Sequence, residues 1–361
     1  LAQFESMRLK EIPIRVILVK CRQWGGSTLT QVYMAWIQLL LMKGWYSVII
    51  AQVASTAKKI YMMYEKGISQ YSSWLLGLED GIKLRFSQYG KSSTDNRITS
   101  GQASLPKNAR DTVVSIGTYN NPDNMPGSDI ALIHLSEVAL WKKTDGREPE
   151  DVVKSVAGGL YQGPMSMLVM ESTPRGPGNY FALESQRARN GESAFANVFI
   201  PFYYNIYDIY AVKNKYLFAK WILENKDNDD RPAKIPEHEE FKCQVSGRFI
   251  YRLWTLGSTL EGIMWYLLKH LEHSRHSDMA SEAPVDIIEA FQSTDAIAFN
   301  TYDIERMQEK YMQPPIRRGD IRSDYSQGAD VLDDFKFDDF QEGDMKIWEE
   351  PNPQKMSDQY I

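Results

Sequence analysis

The sequence predicts an α/β fold: a mainly parallel central sheet flanked by helices, followed by a smaller helical subdomain. Three observations carry that expectation. Continuously apolar runs rich in β-branched residues recur between residues 14 and 200, and helical stretches alternate with them. Beyond about residue 201 the strand signal gives way to helix-forming and aromatic residues. Strands this apolar, separated by helices, are buried on both faces, which is the pattern of a parallel sheet. At 361 residues, 43% hydrophobic and 12% aromatic, the chain can bury one large core or two modest ones.

The elements follow in order. "IRVILVK" (14–20) is the first strand, and after a glycine turn "TLTQVYMAWIQLLLMKG" reads as a helix closed by Gly44. "YSVIIAQV" (46–53) repeats the strand signal, and "STAKKIYMMYEKGI" after it is helical, with Ser55 as its expected N-cap. "DTVVSIGTY" (111–119), "DIALIHL" (129–135) and "MSMLVMES" (165–172) are three further strands. Residues 1–200 are therefore expected to form a sheet-based core. Residues 201–310, with "YLFAKWILENK" and "STLEGIMWYLLKHLEH", are expected to form the helical subdomain. Residues 311–361, rich in Pro, Gly and Asp, read as a loop-rich tail with one short hairpin.

Sheets of this kind bind ligands beyond the carboxyl ends of their strands, and three motifs place polar residues there. The first follows the first strand. Laid over the phosphate-loop pattern G-x-x-x-x-G-K-[ST], residues 20–27 read Lys20-Cys21-Arg22-Gln23-Trp24-Gly25-Gly26-Ser27. Lysine stands for the first glycine, and glycine for the usual lysine. A lysine ammonium is a mobile point charge on a flexible stem, so Lys20 can approach the same phosphates from the other end of the loop. Backbone N–H groups around Gln23, Gly25 and Gly26, with the helix N-terminus, supply an anion cradle. Ser27 falls on the Mg²⁺-ligating hydroxyl position with Thr28 beside it, and Arg22 adds a charge that favours a phosphoryl-transfer transition state. Taken alone, the same residues also fit a plain strand–turn–helix junction.

The second motif is "DIALIHLSEVALW". An apolar strand ending in an acidic pair holds Mg²⁺ through the Asp and activates water through the Glu. Here Ser136 stands in the Asp slot and Glu137 keeps the Glu slot, although a solvated strand-end carboxylate would look the same. His134 counts to the face opposite Glu137, or one layer deeper, and reads as packed rather than catalytic. The third motif, "LVMESTPRGPGNYF" (168–181), runs an apolar strand into Glu171-Ser172-Thr173-Pro174. Hydroxyls at that place can sense a γ-phosphate; a turn dictated by Pro174, Gly176, Pro177 and Gly178 is the plain alternative.

Taken together, "KCRQWGGST", "IHLSEVALW" and "MESTPRG", with "DIIEAFQSTDAIAF" (286–299), resemble the large terminase subunit of tailed bacteriophages, the ATPases that drive DNA into a procapsid. The resemblance runs over nearly the whole chain. It implies a P-loop ATPase of the additional-strand type, binding ATP and Mg²⁺. That family's loop accepts a lysine at either end and its acidic strand often reads "HLSE", so neither Lys20 nor Ser136 is a departure. The implied roles are Glu137 as catalytic carboxylate, assisted by Lys20 and Arg22, and Ser27 as Mg²⁺ ligand. Lys20, Arg22, Gln23, Gly25, Gly26, Ser27 and Thr28 would form the nucleotide site, and Ser172-Thr173 the motif coupling hydrolysis to movement. Residues 201–310 would be the lid. Implied partners are double-stranded DNA (transiently), a portal protein, the small terminase subunit and further copies of the chain in a ring on the portal, in the host bacterial cytoplasm.

Three departures qualify the resemblance. Gln3 is too close to the loop to be the family's adenine-contacting glutamine. The stretch before the acidic strand, "NMPGSD", has no arginine to offer a neighbouring subunit, leaving Arg97 and Arg110 as substitutes. "KIWEEPNPQKMSDQYI" ends about where a nuclease domain's first strand would begin, so nuclease activity is not expected of this chain. With an opening, "LAQFESMRLK", that lacks an initiator methionine, it reads as a piece of a longer protein.

Bulk charge decides little: it does not exclude a motor that touches DNA briefly through one small patch. A net charge of −6 and a pI near 5.6 argue against a permanent nucleic-acid binder held by counterion release. Cys21 and Cys243 make no disulfide framework and lack zinc spacing, which points to a reducing cytoplasm. No apolar run is long enough for a membrane span. His270, His273 and His276, spaced by three, read as a solvated helix face rather than a metal site. Asp333, Asp334, Asp338 and Asp339 alternate with Phe335, Phe337 and Phe340, which suggests a strand or loop with one wet face and no catalysis. Two other readings remain: another P-loop translocase or helicase-like ATPase, and a hydrolysis-inactive nucleotide-dependent docking module.

Overall fold

The computed structural model describes residues 1–42, 44–72, 74, 84–88, 95–100, 112–120, 130–144, 146–205, 211–291, 315–323, 335–340, 343 and 345–348. Contacts group the chain into two compact units, Leu1–Ala296 and Ile297–Ile361.

The first unit is built on a sheet of eight strands: β1 (Ile14–Lys20), β2 (Tyr46–Ala51), β3 (Leu84–Gln88), β4 (Asp95–Ser100), β5 (Val113–Thr118), β6 (Ile130–Ser136), β7 (Met167–Ser172) and β8 (Ala196–Ile200). Their order is β3-β4-β5-β2-β6-β7-β1-β8. The six from β5 to β8 in that order run parallel, and β4 and β3 extend one edge antiparallel. β7, the additional strand, therefore lies between the strand that leads into the glycine loop and the strand that Glu137 follows. β8 is the one parallel strand the residue pattern did not mark. It is an edge strand whose residues are mostly half-buried, so it lacks the apolar run that betrayed the others.

Period-2 alternation sends the strands' apolar residues to two cores. Val16, Leu132, Met167 and Val169 pack with Tyr33 and Met34 of α2 (Gly26–Trp36) and Phe4 of α1 (Ala2–Leu9). Ile17, Val19, Ile133, Leu168 and Met170 pack on the other face against α4 (Pro149–Gly158) and Phe181 of α5 (Tyr180–Arg189). The helix α3 (Ala54–Ser69) lies on the α2 side, packed with Ile49 and Ala51. Two boundaries differ from expectation. α3 starts at Ala54 with extended Val53 as N-cap and no side-chain capping bond, so Ser55 falls inside the first turn. Regular α2 ends at Trp36 and continues as one π turn, Ile37–Leu41, before Gly44 takes a left-handed φ of 65°.

Five helices follow within the same unit: α6 (Lys215–Glu224), α7 (Gly247–Thr255), α8 (Leu260–His270), α9 (His276–Glu282) and α10 (Ile287–Ala290). Asn214, Ser246, Thr259 and Asp286 cap four of them through side-chain oxygens. The helices α6–α9 share one apolar cluster, around Phe202, Phe218, Ile250 and Tyr266, which also takes in Cys21 and packs against Trp24 of the glycine loop, while α10 packs through Ala290 into the sheet core with α4 and Phe181. The three histidines do not form a solvated face. α8 ends at His270, and α9 returns His276 onto it, giving a 3.0 Å Nε2–Nδ1 contact with His270 buried. Among the described residues no group of three or more His, Cys, Asp and Glu side chains is arranged to hold a metal.

The second unit contains β9 (Arg317–Ser323), β10 (Phe335–Asp339) and β11 (Met345–Ile347), an antiparallel sheet in the order β10-β9-β11. The expected single hairpin is thus part of three strands. Asp338 and Asp339 are exposed on β10, while Asp333 and Asp334 lie outside the described residues. Among the described residues no helix is long and apolar enough to cross a membrane.

Candidate functional site

β1 delivers Lys20 to the carboxyl edge of the sheet, and residues 21–25 then turn into α2. The turn uses two left-handed residues, Gln23 at φ 61° and Gly25 at φ 89°, the latter as N-cap of α2. Glycine at 26 has a steric cause. A Cβ there would lie 2.8 Å from Lys20 Cδ and 3.1 Å from Leu18 Cδ2, so the lysine stem occupies the space a side chain at 26 would need. The two exchanges in the loop pattern are therefore one packing arrangement.

Lys20, Ser136 and Glu171 end up on one face by strand parity. Positions 16 and 20 of β1, 132 and 136 of β6, and 167, 169 and 171 of β7 all point towards α2. The register sets Ser136 beside Glu171. Glu171 is fully buried. Its Oε1 accepts from Ser27 Oγ at 2.6 Å and from Ser136 Oγ at 2.7 Å, and its Oε2 pairs with Lys20 Nζ at 3.0 Å. Beneath it lies His134, with Nε2 3.4 Å from Oε1 and Nδ1 2.6 Å from the Gln31 amide of α2. Desolvation would push the Glu171 carboxyl up, but Lys20 and the surrounding donors hold it well below the usual carboxylate range. Burial acts to lower the Lys20 pKa, and Glu171 and Glu137 outweigh it, so the ammonium is held charged. A buried carboxylate and ammonium in contact belong together: removing either partner of such a pair costs roughly 3–5 kcal/mol.

Glu137 stands just past β6 in a left-handed conformation, φ 53°. Its carboxylate lies 3.5 Å from Lys20 Nζ and accepts from Ser172 Oγ at 3.2 Å and Thr173 Oγ1 at 3.5 Å. Ser172 Oγ in turn accepts from the Ala139 N–H at 3.3 Å. The turn after Ser172-Thr173 is held by Asn179. Its amide donates to the carbonyls of Arg175 and Gly176, each at 2.9 Å, and its Oδ1 caps α5 at Ala182 N.

The structure thus gathers Lys20, Gly26, Ser27, Glu137, Ser172 and Thr173. It does not gather all the loop residues. Arg22 is exposed and pairs with the Glu282 carboxylate of α9, its N–H donating to the Glu282 carbonyl at 2.8 Å. Thr28 turns to Met63 of α3, 3.5 Å from its sulfur, and Gln23 is exposed. Of Arg97 only the backbone, on β4, is described, and Arg110 lies outside the described residues. Residue reading missed Glu171 as the hub, and with it His134 and Gln31. The signal was present: a carboxylate and an imidazole inside apolar strands, which burial permits only with partners.

This donor set fits a nucleotide phosphate with a divalent cation. It offers an ammonium, a hydroxyl on the first turn of a helix and a left-handed loop at that helix's N-terminus. In strand order and loop position the fold is that of a P-loop ATPase of the additional-strand type. No family model matches the chain, and no curated protein matches it. Solved structures that resemble it include the large terminase of a thermophilic bacteriophage, at 10% identity and TM-score 0.38 over 53% of this chain and 41% of that one. They also include the large terminase ATPase domain of Thermus phage P74-26, at 17% identity and TM-score 0.37 over 59% and 82% of the two chains. The large terminase of bacteriophage HK97 matches at 10% identity and TM-score 0.42 over 85% and 53%. The chain spans less than two thirds of the first and third of these proteins. With every TM-score below 0.5, these likenesses assign no activity.

Proposed function

We propose that the chain is the ATPase region of a viral DNA-packaging motor, hydrolysing ATP to ADP and phosphate to move double-stranded DNA into a procapsid. The observation that carries the nucleotide site is Lys20, its ammonium between Glu137 and Glu171 and its stem across the bare Gly26. The packaging role rests on the combination of "KCRQWGGST", "IHLSEVALW" and "MESTPRG" in one chain.

In this reading Lys20 and the loop N–H groups hold the β- and γ-phosphates, and Ser27 holds Mg²⁺. Bound Mg²⁺ supplies neutralisation of phosphate charge. Glu137, partly open to solvent and anchored by Ser172 and Thr173, orients the attacking water and takes its proton. Those same two hydroxyls tie Glu137 to the turn before α5, so a change at the γ-phosphate reaches that turn through two hydrogen bonds. Arg22 joins the site only on leaving Glu282. DNA, a portal protein, a small terminase subunit and a ring of copies are the partners this function requires.

The test compares ATP turnover and DNA packaging by the full-length protein with its Lys20→Ala and Glu137→Ala variants, with DNA and procapsids present. Glu137→Ala is expected to lose about 10²–10⁴-fold in turnover while still binding nucleotide, the scale of a missing general base. Lys20→Ala is expected to lose binding as well. Normal packaging by Lys20→Ala refutes the site. Unchanged turnover in Glu137→Ala refutes the catalytic role of that residue, whereas nucleotide binding without turnover in the wild type puts the docking-module reading in place of the motor.

A further inference from the structure

Ser136 stands where an acidic strand of this kind carries an aspartate, and a serine hydroxyl brings no charge. The structure nevertheless puts a charged carboxylate at that place. Register pairs Ser136 with Glu171 on the adjacent strand, and both face α2. The glutamate reaches past the serine: one of its oxygens accepts from Ser136 at 2.7 Å and from Ser27 at 2.6 Å, and the other meets Lys20 at 3.0 Å.

We propose that Glu171 supplies from β7 the carboxylate that Ser136 lacks on β6, and so positions Ser27 and Lys20 for a divalent cation and the phosphates it accompanies. This rests on the nucleotide-site reading given above. The consequence for Ser27 follows from its bonding. A hydroxyl has one proton, and that proton points to Glu171, so both oxygen lone pairs face away from the carboxylate and are available to a cation. Lys20 has three N–H donors, and pairing with Glu171 and Glu137 leaves one for a phosphate. Glu171 is sealed from solvent, so it does not act on water; Glu137, partly open, keeps that role. His134 lies below, with Nε2 3.4 Å from Glu171 Oε1 and Nδ1 2.6 Å from the Gln31 amide nitrogen. Both charges of the site have thus moved: the ammonium to the end of β1, and the carboxylate one strand over.

The test is binding of a fluorescent nucleotide, N-methylanthraniloyl-ATP, to the full chain with Mg²⁺ and with EDTA, alongside thermal melts. Wild type is expected to bind more tightly with Mg²⁺. Glu171→Gln is expected to lose about 10–100-fold of that Mg²⁺-dependent gain, the usual cost of removing a partner that orients a metal ligand. Ser136→Asp alone should also weaken binding, by setting two carboxylates side by side. The double variant Ser136→Asp/Glu171→Gln returns the charge to β6 and should recover the Mg²⁺-dependent gain, and it carries the test if Glu171→Gln does not fold. A Glu171→Gln protein with the wild-type Mg²⁺ gain overturns the proposal. So does a double variant that regains its melting temperature without regaining Mg²⁺-dependent binding, which would make Glu171 structural only. A wild type that binds no nucleotide under either condition overturns the nucleotide site itself, and the role of Glu171 with it.

Discussion

A methyl group at Gly26 would meet the Lys20 stem at 2.8 Å, whereas one at Gly158, within α4, would meet nothing within 4 Å. The two glycines therefore predict opposite outcomes for the same substitution. Gly26→Ala must push Lys20 off its carboxylates or distort the loop. Overpacking of this kind costs about 1–3 kcal/mol, and tenfold weaker nucleotide binding is expected in a fluorescence titration. Gly158→Ala should instead raise stability by about 0.4–1 kcal/mol, because the unfolded chain loses conformational freedom and the folded chain loses nothing. A Gly26→Ala protein with wild-type affinity would show that Lys20 does not lie where its stem excludes a side chain.

Among the elements, the turn between β7 and α5 depends on one residue. Asn179 both caps α5 and ties the carbonyls of Arg175 and Gly176. Asn179→Ala is expected to cost about 1–2 kcal/mol in chemical denaturation, at the upper end for a lost N-cap because the turn loses two further bonds. The junction of α8, α9 and α10 gives a pH dependence. Burial, and then the neighbouring His276, push the His270 pKa down to about 4 from an ordinary 6.5. The unfolded chain thus takes up this proton at higher pH than the folded one. Stability from this residue is intact above the ordinary value and is lost as pH falls from about 6.5 towards 4. His276 faces His270 and carries a 2.7 Å pair with Glu289, and Glu289 also accepts from the Val285 N–H. Melting temperatures measured from pH 8 to 4 should fall more steeply for wild type than for His270→Gln; parallel curves would remove His270 as the cause.

For the molecule as a whole, every residue gathered at the site lies in the unit Leu1–Ala296. A chain ending at Ala296 is expected to melt cooperatively and to bind nucleotide as the longer chain does. Loss of binding on that truncation would mean that residues 297–361 support the site. Within the first unit the loop is held from two sides. Lys20 is fixed by the sheet's carboxylates, while Arg22 and Trp24 are engaged by the helices α6–α9, through Glu282 and through their apolar cluster. Movement of those helices therefore bears on the loop directly, which is a physical basis for the lid role that the sequence resemblance implies.

Much of this was legible in the residues. Five of the six parallel strands announced themselves as apolar β-branched runs, because a strand buried on both faces tolerates little else. The loop, Glu137 and Ser172-Thr173 were legible because each stands where an apolar run ends, at the edge on which such sheets present their ligands. Three things escaped. β8 was hidden by its half-buried edge position. Glu171 passed as the last polar residue of a strand, though a buried carboxylate needs a counter-charge. Arg22 looked like a companion of Lys20 two positions away, yet α9 holds it elsewhere. Composition, order of elements and the chemistry of each motif were thus determined by the sequence alone. Which charges meet was decided only by the tertiary structure, because strand register and the return of α9 bring together residues far apart along the chain: Lys20 with Glu171, and Arg22 with Glu282.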